Sequence, residues 1–417
     1  MKKSISKKWA IFGLCWTTYV ITYLCRVNFS SVLDKLSANI GESAASMGLI
    51  GSCFFFTYAL GQIINGRLGD RISPFHFILF AITATGILNL AMTRTDRYPI
   101  LLIIWGFNGY VQSMLWGPMM RILSERFPPK ERMKISTGMS TSMVVGFIIS
   151  WAIFGKGFLK LGWHLYFIVP ALLALMIAAF WIVPSREASR ISRQMQKENQ
   201  SAANGPAPHS LQRIFFPEKI WLIALTCFCL GAIKESVSLW APLLMTRMLH
   251  MEINTSFLLI SIIPFANFCG ILISNHLIVK SNGNVKGALL TLFGAAAVCA
   301  VLLRFLYEAN AAVSVFLIAA VSGMMYGSNT ILLSYVPISF SAYRLVSTLV
   351  GVFDFMSYMG AAASSACLGA IVSAGNYSHI FNFWLLAIAC AILFISHFNL
   401  HLQENGVRKD RVIWKKA

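Results

Sequence analysis

The stretch "PSREASRISRQMQKENQSAANGPAPHSLQR", residues 184–213, decides how the chain is built. It is polar, charged and interrupted by proline, so it cannot cross a bilayer and reads as a linker. Working outward from it, both flanks are apolar over long runs. Crossing about 30 Å of hydrocarbon takes about 20 helical residues. Before the linker, spans are expected at 9–33, 46–66, 75–93, 98–120, 135–155 and 163–183. After it they are expected at 219–246, 255–279, 287–306, 310–334, 346–372 and 378–400. Six and six around a polar connector is the pattern of a duplicated bundle, so the expected fold is an all-α membrane protein of two pseudo-symmetric six-helix halves. The expected units are a first bundle at 1–183, a cytoplasmic linker at 184–218, a second bundle at 219–400 and a basic tail at 401–417. Composition agrees: 57% hydrophobic and 12% charged residues, with a mean hydropathy of +0.69, are too apolar for a soluble protein.

The net charge of +19 needs an account, because in a soluble chain it would point to nucleic acid. With the amino terminus in the cytoplasm, segments assigned to the inside hold 25 Lys or Arg and those assigned to the outside hold 7. That bias places both termini in the cytoplasm and explains the excess by topology, leaving no reason to invoke nucleic acid. The first apolar run begins at Trp9, directly after Lys7 and Lys8, without a small-residue cleavage pattern, so it is expected to stay as the first helix. The nine cysteines, Cys15, Cys25 and Cys53 among them, sit in apolar runs without ligand spacing and read as small packing residues, with no metal expected. The scattered histidines lack a paired nucleophile, so no catalytic residue and no enzyme is expected.

Among the basic residues Arg26 and Lys234 fall well inside spans, away from their ends, joined there by Glu235 and Asp354. Each buried charge opposes insertion by about 3 kcal/mol, together on the order of 10 kcal/mol, unless it faces a polar interior. Arg26 and Lys234 lie at similar depth in the first helix of their halves, so a pseudo-twofold axis brings them to opposite sides of one cavity. The bland alternative is that they pair internally with Glu235 and Asp354 and bind nothing. Glu235 adjoins Lys234 but points about 100° away around the helix, so those two need not neutralise each other. Polar rows at helical spacing thicken the cavity reading: Tyr19, Tyr23, Arg26 and Ser30; Tyr58, Gln62 and Asn65; Asn108, Gln112 and Trp116; Asp354 and Tyr358. Glycines such as Gly13, Gly48, Gly61 and Gly351 are expected to serve close packing.

"GRLGDR", residues 66–71, read as the first cytoplasmic turn, resembles the G-x-L-x-D-R signature of the major facilitator superfamily, with Gly66, Asp70 and Arg71 as a cytoplasmic gate motif. More narrowly, "YLCRVNFS" (23–30) resembles the first-helix motif of the organophosphate:phosphate antiporter family. "YALGQIINGRLGDR" (58–71), "WGFNGYVQSMLWGPMMRILSERFPPKER" (105–132), "SLWAPLLM" (238–245) and "MYGSNTILL" (325–333) extend the similarity over nearly the whole chain. The resemblance implies that Arg26 and Lys234 clasp the anion of a phosphorylated solute. The departures are Val27 and Gln62 where family members carry lysines, no fifth-span histidine, and an extra acid at Asp354; they make the cavity less positive than the family norm.

The resulting expectation is a secondary active transporter working by alternating access. It moves a small organic anion, foremost a phosphorylated metabolite, in exchange for inorganic phosphate. Expected substrate ligands are Arg26, Lys234, Tyr23, Tyr58, Gln62, Asn108, Gln112 and Tyr358, with Asp354 and Glu235 for coupling or charge balance. The alternatives are a proton-coupled symporter of a carboxylate-type anion, with Asp354 or Glu235 carrying the proton, and a membrane sensor built on the same fold. The partners implied are the anionic solute, phosphate or a proton, and the lipid bilayer, for a cofactor-free monomer in a plasma membrane such as the bacterial inner membrane.

Overall fold

The computed structural model describes residues 2–127, 129–154, 162–198, 219–249, 259–339 and 346–398. Its secondary structure there is helical throughout. Lipid offers no partner for backbone N–H and C=O groups, and helices satisfy them internally. Chain order gives α1 (Lys2–Ile40), α2 (Ala44–Arg71), α3 (Pro74–Met92), α4 (Tyr98–Gln112), α5 (Trp116–Arg126) and α6 (Pro129–Ile148). Then follow α7 (Leu165–Glu198), α8 (Ile220–Leu243), α9 (Ile262–Lys280), α10 (Val285–Leu306), α11 (Ala311–Thr330), α12 (Val346–Ser373) and α13 (Ser378–His397). A short turn of helix, Val336–Ser339, follows the eleventh. The fourth expected span is α4 and α5 in line, broken by a turn at 113–115. Eleven segments among the described residues are long and apolar enough to cross a membrane, and Gly138–Phe154 supplies a shorter apolar helix at the fifth expected span. The seventh, tenth and eleventh spans are therefore α8, α11 and α12.

Two expectations need adjusting, and one feature is new. α7 does not end at 183 but runs through Pro184 to Glu198, so the first half of the connector is helix. Its Ala, Glu, Arg and Gln content favours helix once the chain leaves the bilayer, and a single proline removes only one backbone bond. α2 likewise continues to Arg71, making "GRLGDR" its last turns rather than a loop. Finally, three spans end in wide π-helical turns, Ile149–Phe154 after α6, Leu244–Met248 after α8 and Ile331–Tyr335 after α11.

Within the first half α1 packs on α6 and α7, α3 on α7 and α4, and α2 on α4. In the second half α8 packs on α12, α13 and α11, while α10 bridges α11 and α13. The halves meet chiefly where α2 lies along α12, with α1 against α8 and α6 against α9. Close approach at the first of these contacts depends on a missing side chain: a Cβ on Gly48 would sit 2.5 Å from the Ser365 carbonyl and 3.0 Å from Gly369 Cα. Gly61 is packed as tightly, whereas Gly13 and Gly351 have open space where a Cβ would go and do not serve packing. Large apolar side chains such as Phe80, Phe180, Phe265 and Phe305 stay exposed around the bundle, as a lipid-facing belt requires.

Candidate functional site

Arg26 sits midway along α1 with its side chain only 10% exposed. Tyr23, Phe54, Phe55, Tyr58 and Tyr358 surround its guanidinium with ring centroids 5.0–5.8 Å away. Aromatic faces partly replace the lost hydration of a cation that cannot deprotonate. Its Nη2 donates to the Tyr358 hydroxyl at 3.2 Å, and the Tyr58 and Tyr358 rings meet at a tilt, centroids 4.2 Å apart, across the boundary between the halves. Thus three expected ligands, Tyr23, Tyr58 and Tyr358, are gathered around Arg26.

Asn108 and Gln112 are gathered too, but for another purpose. Both are fully buried, and their side-chain amides donate to the backbone carbonyl of Cys25 at 3.2 Å each, alongside Asn89 at 3.3 Å. Asn89 also accepts from Asn28 at 2.7 Å. The row on α4 therefore braces the α1 backbone beside Arg26 through these bonds. Asn28 and Asn89 were missed because single amides in apolar spans look like isolated interhelical glue. Gln62 is half-buried and makes no hydrogen bond among the described residues.

Lys234 projects from α8, where its Nζ donates to Asn329 Oδ1 at 3.1 Å and lies 5.4 Å from the Tyr326 ring. It is also 3.1 Å from Glu235 Oε1, so the two do pair, although their positions around the helix did not require it. The physical reason is length: both side chains are flexible enough to curl around the helix and meet, despite the angle between their Cα–Cβ bonds. The other carboxylate oxygen, Oε2, lies 3.7 Å from Arg26 Nη2. One carboxylate thus faces a cation from each half. Asp354, the second intramembrane acid, makes no ion pair within 4.0 Å and no hydrogen bond among the described residues.

Among the described residues, the polar and ring contacts between the halves fall at the level of Arg26 or toward the end of the bundle away from the termini. There Arg247 pairs with Asp34, Ser373 Oγ accepts from the Ala45 N–H at 2.7 Å, and Ser365 Oγ donates to the Gly48 carbonyl at 2.7 Å. At the termini end Gly66 is exposed, with nothing within 4 Å of the point a Cβ would occupy. The side chains of Asp70 and Arg71, the expected gate partners, lie outside the described residues. An apolar groove of about 430 Å³ between α2, α4, α8 and α12, lined by Leu49, Phe56 and Met359, holds neither cation. Its walls carry no charge to recognise an anion.

A sequence model of the Major Facilitator Superfamily matches residues 15–365. The chain is 22% identical to a probable hexose phosphate transport protein of Chlamydia pneumoniae, covering 93% of this chain and 90% of that one. It is 25% identical to the phosphoglycerate transporter protein of Salmonella typhimurium, covering 91% and 86%. Its fold is similar to the crystal structure of the nucleoside transporter NupG, with a TM-score of 0.70 at 13% identity, over 92% of this chain and 97% of that one.

Proposed function

Because this chain belongs to the Major Facilitator Superfamily, we propose that it carries small phosphorylated anions across the membrane by alternating access, exchanging them with inorganic phosphate. The observation that carries the reading is the convergence of Arg26 from the first half and Lys234 from the second on a single carboxylate, an anion held between the halves. A phosphoryl group offers the same chemistry with more oxygens: Arg26 takes two through its planar fork, and Lys234 adds a point charge from the other side. The relatives' names, hexose phosphate and phosphoglycerate, supply the substrate class. Both termini face the cytoplasm on the strength of the 25-to-7 basic bias, and the halves 1–183 and 219–400 rock about the cluster. The end away from the termini is then the outer one, and the interhalf bonds there act as an outer seal in this reading.

Purified protein in liposomes loaded with phosphate should take up labelled phosphate and 3-phosphoglycerate. Arg26→Ala and Lys234→Ala should each abolish that uptake while still reaching the membrane. Undiminished uptake kinetics in both variants would refute the proposal. A second reading, proton-coupled symport, is favoured by the carboxylate of Asp354 inside the bundle, which has no ion-pair partner among the described residues. A proton ionophore stops accumulation by a symporter and leaves phosphate exchange intact.

A further inference from the structure

An exchanger is strict when its empty form cannot reorient. Two bare cations, one on each half, would give that behaviour, since bringing them together without an anion meets like-charge repulsion. The cations here are not bare. Glu235 stands between them, Oε1 at 3.1 Å from Lys234 Nζ and Oε2 at 3.7 Å from Arg26 Nη2. All three side chains are at most 10% exposed, so solvent screens the cluster little.

We propose that Glu235 is a tethered stand-in for the transported anion: it takes the anion's place between the halves when the site is empty, so the empty carrier reorients and net transport accompanies exchange. The inference rests on the reading that Arg26 and Lys234 grip the substrate. Three features support it. The carboxylate presents one oxygen to each half, as a bridging anion does. It is fixed to α8 beside Lys234, so it travels with the second half and is always at hand. Its contact with Arg26 is the longer one, and an incoming phosphoryl group with more charge and a bidentate fit displaces it there first. Asp354 completes the balance: it lies one helical turn from Tyr358 on the same face of α12, and Tyr358 touches Arg26. Two cations and two carboxylates leave the empty interior near neutral.

The test compares two flux modes of labelled inorganic phosphate in liposomes holding the purified full chain, with potassium and valinomycin clamping the membrane potential. Vesicles preloaded with phosphate report exchange, and vesicles without it report net flux. The wild-type protein should show both. In Glu235→Gln the ratio of net flux to exchange should fall by at least about tenfold, the scale expected when one partner of a buried charge cluster is lost. Glu235→Asp, which keeps the charge, should restore the ratio, as a purely structural role would not require. Glu235→Gln should also bind phosphate more tightly in a thermal-shift titration, because no internal carboxylate competes. An unchanged ratio in Glu235→Gln, or a wild-type protein that only exchanges, overturns the stand-in role and leaves the transport reading standing. Wild-type vesicles with no phosphate flux in either mode sink the transport reading and this inference with it.

Discussion

Replacing Gly48 with alanine should loosen one end of the molecule and not the other. The added Cβ would lie 2.5 Å from the Ser365 carbonyl, 3.0 Å from Gly369 Cα and 3.2 Å from Trp240 Cζ2. Ordinary contact needs about 3.5 Å, so α2 and α12 must part by about 1 Å against two backbones that cannot bend away. Overpacking of this kind costs about 1–3 kcal/mol. Parting also breaks the 2.7 Å bond from Ser365 Oγ to the Gly48 carbonyl, a further loss of about 1 kcal/mol. The total, about 2–4 kcal/mol, raises the population opened at this end by roughly 30- to 700-fold, at about 1.4 kcal/mol per tenfold. Hydrogen–deuterium exchange with mass spectrometry reads that population in peptides covering 44–50 and 366–373. Gly351→Ala, on the same α12 but with open space around the new methyl, is the control and should leave exchange unchanged. Equal exchange in Gly48→Ala and wild-type protein, or an equal rise in the control, would show that close backbone approach is not what seals this end.

Three smaller experiments probe the rest of the architecture. Arg26→Lys keeps the charge but loses the fork and the flat face its five aromatic neighbours surround, so phosphate affinity in a thermal-shift titration should drop by about 10- to 100-fold; an unaltered affinity would mean that charge alone binds the anion. Asn108→Ala removes one of three amides on the Cys25 carbonyl and should destabilise the protein by about 1–3 kcal/mol, visible as a lower melting temperature; no change would mean the amide cluster is idle. The Asp34–Arg247 pair has side chains 45% and 37% exposed, so a double-mutant cycle on thermal stability should return less than about 1 kcal/mol; a larger coupling would make this pair the principal seal.

The bundle was legible because lipid leaves the sequence little freedom: apolar runs of span length have to be helices, and a polar connector between two sets of six marks the duplication. Where residues leave the hydrocarbon, that constraint lapses. There α7 runs on through Pro184 and α2 through "GRLGDR", which hydropathy alone marks as connector and turn. At the site, period and burial cost were enough to pick out Arg26, Lys234 and the tyrosines, since a charge in a span must face inward. Their partners were not legible in the same way. The angle between Lys234 and Glu235 describes Cα–Cβ bonds and says nothing about where long side chains end. The amides of α4 carry no mark in the sequence distinguishing a bond to solute from a bond to the Cys25 carbonyl.

Of the five rings around the guanidinium, Tyr23, Phe54, Phe55 and Tyr58 come from α1 and α2, and Tyr358 alone comes from α12. The amides bracing Cys25 belong to α3 and α4. The arginine is thus seated like a stator in machinery its own repeat supplies, and the tyrosine reaches it from the other half. A chain cut within 199–218 and coexpressed as two fragments would still deliver that seat ready-made, with reassembly needed only to bring the tyrosine and the lysine up to it.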